Sequence, residues 1–386
     1  MDQLEDTISL LNELIAFPTV SSDSNLDMIA NLANWLEDAG ARVDLFHNEE
    51  GSKANLFATI GPDADGGIVL SGHSDVVPVT DQDWTHDPFD MIRRDAKLFG
   101  RGSCDMKGFI AAAVTMAPYY AQVVRNRPVH FAFTYEEEVG CVGAQALADS
   151  LRAKGLSPSV AIIGEPTEMR IIEGHKGCCE YTTHFEGLAG HGSAPDQGVN
   201  AVEYAVRYVA RLMELREILK ARAPKTSRFD PPWTTINTGA LHGGIAHNVI
   251  ADHAIVEWEM RPVQANDGAF VREDLRTYVH EILLPQMQAV CPEARIHTEV
   301  IGEVDGLEPV PGNEARRILA ELTCSDSADV VAFGTEAGIF QALGMDVVVC
   351  GPGSISQAHK PDEYLAEEQL VRCLEMLTRL GGKLAA

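Results

Sequence analysis

Histidine and carboxylate side chains stand at or near the ends of several apolar runs in this chain. The five segments concerned are Gly-His73-Ser-Asp75, Asp105-Met-Lys-Gly, Glu136-Glu137-Glu138, Gly-Glu165-Pro and Ala-His359-Lys. In open α/β sheets, ligand sites form outside the carboxyl ends of the strands. Imidazoles and carboxylates that converge there without thiolates suit zinc or another borderline divalent ion. Two histidines and at least three carboxylates exceed the needs of one catalytic zinc, so the pattern predicts a two-metal centre.

The acidic run Glu136-Glu137-Glu138 directly follows an apolar segment, Phe131–Tyr135, that has the pattern of a buried strand. Like charges this close raise each other's pKa and would destabilise a bare fold, whereas a divalent cation offsets the repulsion. Paired metal ions polarise a carbonyl and bring the pKa of a bridging water towards about 7. A free glutamate can then take the proton of that water and pass it to a leaving nitrogen. A solvated acidic loop is the alternative, and the residues alone leave both open.

The composition limits the class of protein. The chain has 386 residues and a net charge of −27, from 30 basic and 57 acidic side chains, which predicts that it binds neither nucleic acid nor an anionic membrane. We find no apolar run long enough for a membrane span and no basic-then-apolar leader. The eight cysteines form no CxxC pair, which favours free thiols in a reducing cytoplasm. No GxSxG elbow is present, which disfavours a serine hydrolase.

The periodicity of the chain predicts two domains. Apolar strands that alternate with helices predict an α/β fold, a doubly wound mixed sheet covered on both faces. Between residues 178 and 302 the pattern changes to strand-helix-strand-strand-helix-strand, which is the ferredoxin-like α+β order. We therefore expect a metal-binding catalytic domain, 1–177 and 303–386, with an inserted domain at 178–302.

Seven motifs together resemble the zinc-dependent M20 family of amidohydrolases over essentially the full length. In order they are HSDVVP, GRGSCDMKG, TYEEEVG, IIGEPT, GHGSAP, GGIAHNVI and AHKPDEY, and Glu136 stands where the family usually has Asp. The resemblance implies that Glu137 is the general base and that Asp75 supports the first histidine. It also implies a cis peptide bond after the bridging aspartate. The implied metal ligands are His73, Asp105, Glu138, Glu165 and His359.

The resemblance also implies roles outside the metal cluster. In such enzymes the inserted domain is a lid that forms the homodimer, and His191 matches the histidine that reaches the partner's active site and stabilises the oxyanion. Family members often have Ser where this chain has Gly192. The remaining candidates are substrate-binding residues: Asn248 near the substrate, Arg261 on its α-carboxylate, Glu336 on its ammonium group, and Gly353 in a glycine turn.

The implied activity is the hydrolysis of a small N-acyl amino acid at two divalent ions, zinc or alternatively cobalt. The segments Arg228–Thr235 and Phe333–Gly338 most resemble the branch that acts on N2-acetyl-L-ornithine in arginine biosynthesis. The alternatives are another deacylase of the family, such as one acting on N-succinyl-diaminopimelate, and a metal-dependent binding protein on the same fold. An intact Glu137 argues against the binding protein, which needs ligands but no free base.

Overall fold

The apolar runs that precede the candidate residues form buried strands. The computed structural model describes residues 3–385. The described residues up to Ile60 form helices α1 (Gln3–Ile15) and α2 (Leu26–Asp38) and strands β1 (Arg42–His47) and β2 (Ala54–Ile60). The elements up to the second domain are β3 (Ile68–His73), β4 (Ile92–Arg94), β5 (Lys97–Phe99), a π-helical turn (Ser103–Lys107), α3 (Gly108–Thr115), α4 (Ala117–Val123), β6 (Val129–Thr134), α5 (Val142–Lys154), β7 (Val160–Pro166) and β8 (Ile171–His175).

The middle of the chain contains longer antiparallel strands. Its elements are β9 (Cys178–Glu186), β10 (Gly190–His191), a 3-10 turn (Pro195–Gln197), α6 (Ala201–Ala221), β11 (Thr235–Gly243), β12 (Val249–Ile250), β13 (His253–Arg261), α7 (Ala265–Tyr278), a π-helical turn (Val279–Leu283), α8 (Leu284–Gln288) and β14 (Arg295–Val304). The last part contains α9 (Glu314–Thr323), β15 (Ala328–Val331), α10 (Ala337–Ala342), β16 (Asp346–Gly351), β17 (Tyr364–Ala366) and α11 (Glu367–Leu384).

These elements divide into two units. The first contains the chain up to Gly174 together with Pro309–Asp329 and the chain from Thr335 onwards, and the second contains His175–Glu308 and Val330–Gly334. The inserted segment therefore begins three residues before and ends six residues after the predicted 178–302. His175 N–H donates to the carbonyl of Leu307 at 3.0 Å, so the two ends of the insertion lie side by side.

The large sheet is mixed, as predicted, with the strand order β1-β2-β6-β3-β7-β16-β8-β15. Its centre, β6-β3-β7-β16, is parallel, and every residue of β3, β6 and β7 is buried. Strands β1 and β2 add to it in antiparallel register. Because the central strands are parallel and in register, with His73 opposite Thr134, the residues that follow them meet at one edge.

The second unit has the predicted ferredoxin-like topology. Its sheet runs in the order β11-β13-β9-β14 and is antiparallel throughout. Along β9 and β13, alternate residues are buried, and those of β13 pack with helices α6 and α7 in one core. Asn200 accepts backbone N–H groups of Val202 and Glu203 and so begins the long helix α6.

Two helices differ from prediction because of proline. The pattern Phe109–Gln122 predicts one helix, but the structure has α3 and α4, which are separated at Met116. Pro118 stands in the first turn of α4, where its missing N–H costs nothing, and in a continuous helix it would break a hydrogen bond.

None of the helices between residues 3 and 385 has the length and apolar character that crossing a bilayer requires.

A buried imidazole in the large sheet makes stability depend on acidity. The ring of His130 stacks on Phe57 at 5.0 Å, and its Nδ1 lies 2.9 Å from the Thr59 hydroxyl. Burial lowers the pKa of His130 to about 4, and the Arg42 guanidinium adds to this effect. Below pH about 6.5 the unfolded chain therefore takes up a proton that the folded chain does not, and stability is lost as the pH falls towards about 4.

We therefore expect a His130→Gln variant to be less sensitive to acid. Between pH 7 and pH 5 its free energy of unfolding should gain about 2 kcal/mol relative to the wild type, because the glutamine takes up no proton. Urea unfolding of both proteins at several pH values measures this difference. His253→Gln, at an exposed position, is the control and should show no such gain. A difference that is constant with pH would rule out the buried imidazole as the cause.

Candidate active site

One carboxylate lies between two imidazoles at the edge of the large sheet. Asp105 Oδ1 is 3.0 Å from His73 Nε2, and Asp105 Oδ2 is 3.3 Å from His359 Nε2. The Asp105-Met106 peptide bond is cis, as the resemblance implies. His73 ends β3, while His359 belongs to the turn before β17, so chain segments nearly 300 residues apart meet here. The arrangement is the one expected of a bridging aspartate.

Two glutamates complete the cluster, one beside each imidazole. Glu138 Oε2 is 3.1 Å from His359 Nε2, and Glu165 Oε1 is 3.6 Å from His73 Nε2. The ligand atoms of His73, Asp105 and Glu138 lie within 4.8 Å of one another, and those of His73, Glu137 and Glu165 do so as well. The structure thus brings together all five predicted metal ligands.

The donor set fits divalent cations. Glu165 Oε1 is buried and accepts no hydrogen bond from any group that the structure describes. A buried carboxylate oxygen without a partner is costly unless a cation or a donor satisfies it. Imidazole and carboxylate groups without thiolate are donors that zinc and similar ions accept. His73, Asp105, Glu138, Glu165 and His359 would hold such ions.

The electrostatics of the cluster point the same way. Burial, reinforced by the neighbouring charge of Asp105, raises the pKa of Glu165 well above its usual value. Hydrogen bonds to Asp105 and Glu138 raise the pKa of His359 to about 10. Burial alone would raise the pKa of Asp105, but the bonds from His359 and His73 outweigh it and hold that pKa low. Without a cation the cluster therefore holds protons, which a metal ion displaces when it binds.

The three glutamates of the acidic run have separate environments. Glu136 pairs with the ammonium group of Lys53, which also donates to the carbonyl of Ser21. This ion pair holds the Glu136 side chain away from the cluster. The turn in the chain that this orientation requires comes from the left-handed backbone of Glu136, which has a φ of +55°. Glu137 and Glu138 then face the imidazoles. The structure therefore supports the assignment of Glu137 and Glu138, rather than Glu136, to the site.

Glu137 has the environment of a proton acceptor. Burial, opposed by the charge of His73 and assisted by the charges of Glu138 and Asp105, raises its pKa to about 8. The Cys141 thiol lies 3.5 Å from Glu137 Oε1 and can donate to it. A bound cation would lower this pKa, since positive charge favours the carboxylate. A glutamate whose pKa lies near neutrality is suited to general base catalysis.

Asp75 supports both the imidazole and the loop that carries Glu137. His73 Nδ1 lies 2.9 Å from the main-chain carbonyl of Asp75 and 3.6 Å from the Asp75 carboxylate. The carboxylate accepts the Ser21 hydroxyl at 2.6 Å and the backbone N–H groups of Glu137 at 3.1 Å and Glu138 at 3.4 Å. Asp75 thus positions the acidic run as well as the histidine.

Glu336 does not occupy the position that the sequence predicts. Its carboxylate is fully buried and accepts hydrogen bonds from Ser71 Oγ at 2.6 Å and Thr134 Oγ1 at 2.7 Å. Since both oxygens are engaged inside the sheet, a contact with a substrate ammonium group is not available to it in this structure. Glu336 ties β3 to β6 at the ends that carry the site.

The predicted substrate residue Gly353 packs against the Asp105 turn. It has a φ of +92°, and a Cβ atom added to it would lie 2.5 Å from the Sγ of Cys104. Only glycine therefore fits at this position. Its carbonyl accepts the N–H of Glu168 at 2.6 Å.

In the second unit, His191 and Asn248 are neighbours. Strands β10 and β12 pair with His191 opposite Val249, and the N–H of Gly192 donates to the Asn248 carbonyl at 2.8 Å. A Cβ on Gly192 would lie 3.0 Å from the Asn248 backbone, so a larger residue there would require a small shift of that backbone. The His191 side chain is exposed, and its Nδ1 lies 2.7 Å from the Ser193 hydroxyl.

Arg261 belongs to the four-stranded sheet rather than to the β10-β12 pair. It ends strand β13, and its guanidinium pairs with Glu259 at 2.9 Å. The strand from His253 to Arg261 is roughly 26 Å long at about 3.3 Å per residue. The structure therefore does not bring Arg261 next to His191 and Asn248.

Three residues near the cluster were not predicted to have a role: Lys53, Cys141 and Glu363. Cys141 follows Glu137 by four residues, and Glu363 follows His359 by four. This short separation along the chain could have indicated that both residues lie near the cluster. Lys53 belongs to none of the motifs and is more than 80 residues from its partner. It could be found only from the structure.

The comparison with known proteins decides the family. A model of peptidase family M20/M25/M40 matches residues 69–382. The chain belongs to this family. An acetylornithine deacetylase of Klebsiella pneumoniae (strain 342) is 34% identical to this M20 chain over 386 residues, 98% of each protein. Another from Edwardsiella ictaluri (strain 93-146) is 35% identical over 391 residues, 98% of this chain and 97% of the relative.

The fold of this M20 chain is also found in solved structures. A dinuclear metal-binding M20 peptidase of Bacillus subtilis superposes with a TM-score of 0.67 at 16% identity, covering 98% of this chain and 97% of that one. At this identity the likeness shows the fold alone. The family match and the two deacetylases establish a hydrolase that acts on amide bonds.

Proposed function

We propose that this M20 hydrolase converts N2-acetyl-L-ornithine and water into L-ornithine and acetate. The observation that carries the proposal is the separation of roles in the acidic run. Glu138 contacts His359, whereas Glu137 lies beside the cluster with a pKa of about 8. A base next to a ligand set is what amide hydrolysis needs. The two deacetylase relatives, similar over nearly the full length, favour the acetylated amino acid.

The residues of the chain would divide the work as follows. Divalent ions held by the five ligands would polarise the amide carbonyl and lower the pKa of a water. Glu137 would accept a proton from the attacking water and deliver it to the leaving nitrogen, without which the amine leaves poorly. Asp75 would keep Glu137 and Glu138 in place through their backbone N–H groups. The dinuclear relative and the ligand set support two ions, for which we propose zinc, with cobalt as the alternative.

The second unit would complete the site. We propose that His191 and Asn248 act together on the substrate, since their backbones are hydrogen-bonded neighbours. We further propose that His191 acts in the partner's site of a homodimer and that Arg261 binds the substrate carboxylate.

If His191 acts in the partner's site, mixing His191→Ala and Glu137→Gln proteins should restore part of the activity. No recovery despite proven subunit exchange would contradict the crossed site. A cytoplasmic role in arginine biosynthesis follows from the substrate.

A panel of N-acyl amino acids tests the choice of substrate. We expect kcat/KM for N2-acetyl-L-ornithine to exceed that for N-succinyl-diaminopimelate, N-acetylmethionine and a plain dipeptide by at least about tenfold, a difference of about 1.4 kcal/mol. The same zinc-loaded preparation, with its metal content measured, serves for every substrate. Faster turnover of another member of the panel would replace acetylornithine with that substrate. No release of acetate from N2-acetyl-L-ornithine would refute the proposal.

A further inference from the structure

A buried carboxylate that is not a metal ligand holds the turn that carries Asp105. Glu363 is 1% exposed, and its Oε1 accepts the backbone N–H groups of Cys104 at 2.9 Å and Asp105 at 3.1 Å. Its Oε2 accepts the N–H of Gly102 at 3.2 Å and the guanidinium of Arg101 at 2.6 Å. One side chain thus binds three backbone donors of a single turn.

The turn needs such an acceptor. Asp105 has φ −123° and ψ 91°, a non-helical conformation inside the π-helical turn, so its N–H and that of Cys104 lack a regular helical partner. Charge-assisted hydrogen bonds from backbone N–H groups to a carboxylate are stronger than neutral ones. Arg101, itself 1% exposed, offsets the burial of the Glu363 charge. The pair therefore fixes the backbone from which the Asp105 side chain projects.

The same pair is connected to the other metal-binding segment. Arg101 Nη2 donates to Gln82 Oε1 at 2.6 Å, and Gln82 Nε2 donates to the main-chain carbonyl of His359 at 3.1 Å. Glu363 itself follows His359 by four residues. A continuous chain of hydrogen bonds therefore links the backbone of Asp105 to the backbone of His359. These are the two segments whose side chains meet at 3.3 Å.

We propose that Glu363, Arg101 and Gln82 form a positioning network that sets Asp105 and His359 at the separation that a metal pair requires. None of the three touches the substrate or the ions in this assignment. Their effect passes through the backbone of two ligands. The inference rests on the proposed metal-dependent function and adds residues that determine how tightly the ions are held.

A second ion pair of the same unit supplies a matched control. Arg127 makes two hydrogen bonds to the Glu314 carboxylate, at 2.9 Å and 3.2 Å, and also contacts Ser159. This pair joins the loop before β6 to the start of α9 and contacts none of the five ligands. Loss of Glu314 should therefore weaken the fold without changing the metal site.

The test compares Glu363→Gln with Glu314→Gln in the full-length protein loaded with cobalt(II). Glutamine keeps the shape of Glu363 but has one acceptor oxygen in place of two and no charge. We expect Glu363→Gln to lower cobalt affinity by about 10–100-fold, measured by competition with a chelator, and to alter the visible absorption of the bound cobalt. Its kcat should fall more than its KM rises. Glu314→Gln should have the wild-type cobalt spectrum and affinity.

Gln82→Ala is a milder variant that leaves the buried ion pair in place. It removes the link to His359 together with the bonds that Gln82 accepts from Arg101 and Trp84, so we expect one of the two cobalt equivalents to weaken and the other to be unchanged. Wild-type spectrum and affinity in both Glu363→Gln and Gln82→Ala, with normal turnover by the wild type, would overturn the network and leave the proposed function standing. A wild-type protein that binds no cobalt would overturn both. If the wild-type protein fails only to hydrolyse N2-acetyl-L-ornithine, the proposed substrate alone is overturned.

Discussion

Replacing Glu137 with glutamine is expected to reduce kcat by at least about 10²–10⁴-fold, the usual contribution of a general base. Glutamine has nearly the same shape but cannot accept the proton of the attacking water. The five ligand side chains remain, so metal content, measured on the purified variant, should stay close to that of the wild type. Steady-state turnover of N2-acetyl-L-ornithine measures the loss. The variant separates the base from the ligands, which lie within a few ångströms of it.

Glu136→Gln is the matched control for this experiment. Glu136 precedes the base by one residue, carries the same chemical group and pairs with Lys53 rather than facing the imidazoles. We expect its kcat to stay within a few-fold of the wild type. A large loss in Glu136→Gln with normal turnover in Glu137→Gln would show that the acidic run is assigned one residue out of register.

Removal of the metal ions is expected to abolish turnover and to weaken the fold. Without them the carboxylates of Asp105, Glu138 and Glu165 lie close together in a buried place, and Glu165 Oε1 accepts no hydrogen bond from the described residues. A ligand present at 100 times its dissociation constant stabilises the folded state by about 2.7 kcal/mol. Dialysis against a chelator should therefore lower the free energy of unfolding by about that amount. Urea unfolding and turnover of the same samples measure both effects.

Adding metal back tests the assignment of the ion. Zinc or cobalt should restore turnover and stability, because imidazole suits these ions. Magnesium should restore little, since it prefers oxygen ligands and keeps its waters. Full activity after exhaustive chelation, with no metal detected, would contradict a metal-dependent mechanism. Recovery with magnesium alone would contradict the proposed zinc or cobalt.

The large sheet and the positions of the candidate residues at its edge were predictable because local patterns determine them. An apolar run such as Ile68–Leu70 can only be buried, and a parallel strand places the next polar residue, His73, at the carboxyl edge of the sheet. The same reasoning places Glu165 near the end of β7 and the acidic run just after the end of β6. Positions that depend on one strand and its end could therefore be assigned without coordinates.

The supporting contacts were not predictable, because they join distant parts of the chain. Nothing near Lys53 indicates that it pairs with Glu136, and nothing near Glu336 indicates that Ser71 and Thr134 enclose it. The resemblance placed Glu336 against substrate, and the structure buries it. Such contacts arise from how strands are ordered in the sheet, which the local sequence does not record.

The insertion has a consequence for how the protein is made. Strand β16 pairs with β7 across residues 346–351 and 160–166, and His359 reaches Asp105. On the ribosome, residues 175–308 emerge as one stretch, and most of the second unit is available before β16 is synthesised. The central sheet must wait for its last parallel strand, because distant pairing cannot form earlier. The cluster of candidate ligands is complete only when His359 has left the exit tunnel, so a nascent chain holds no finished site before that point.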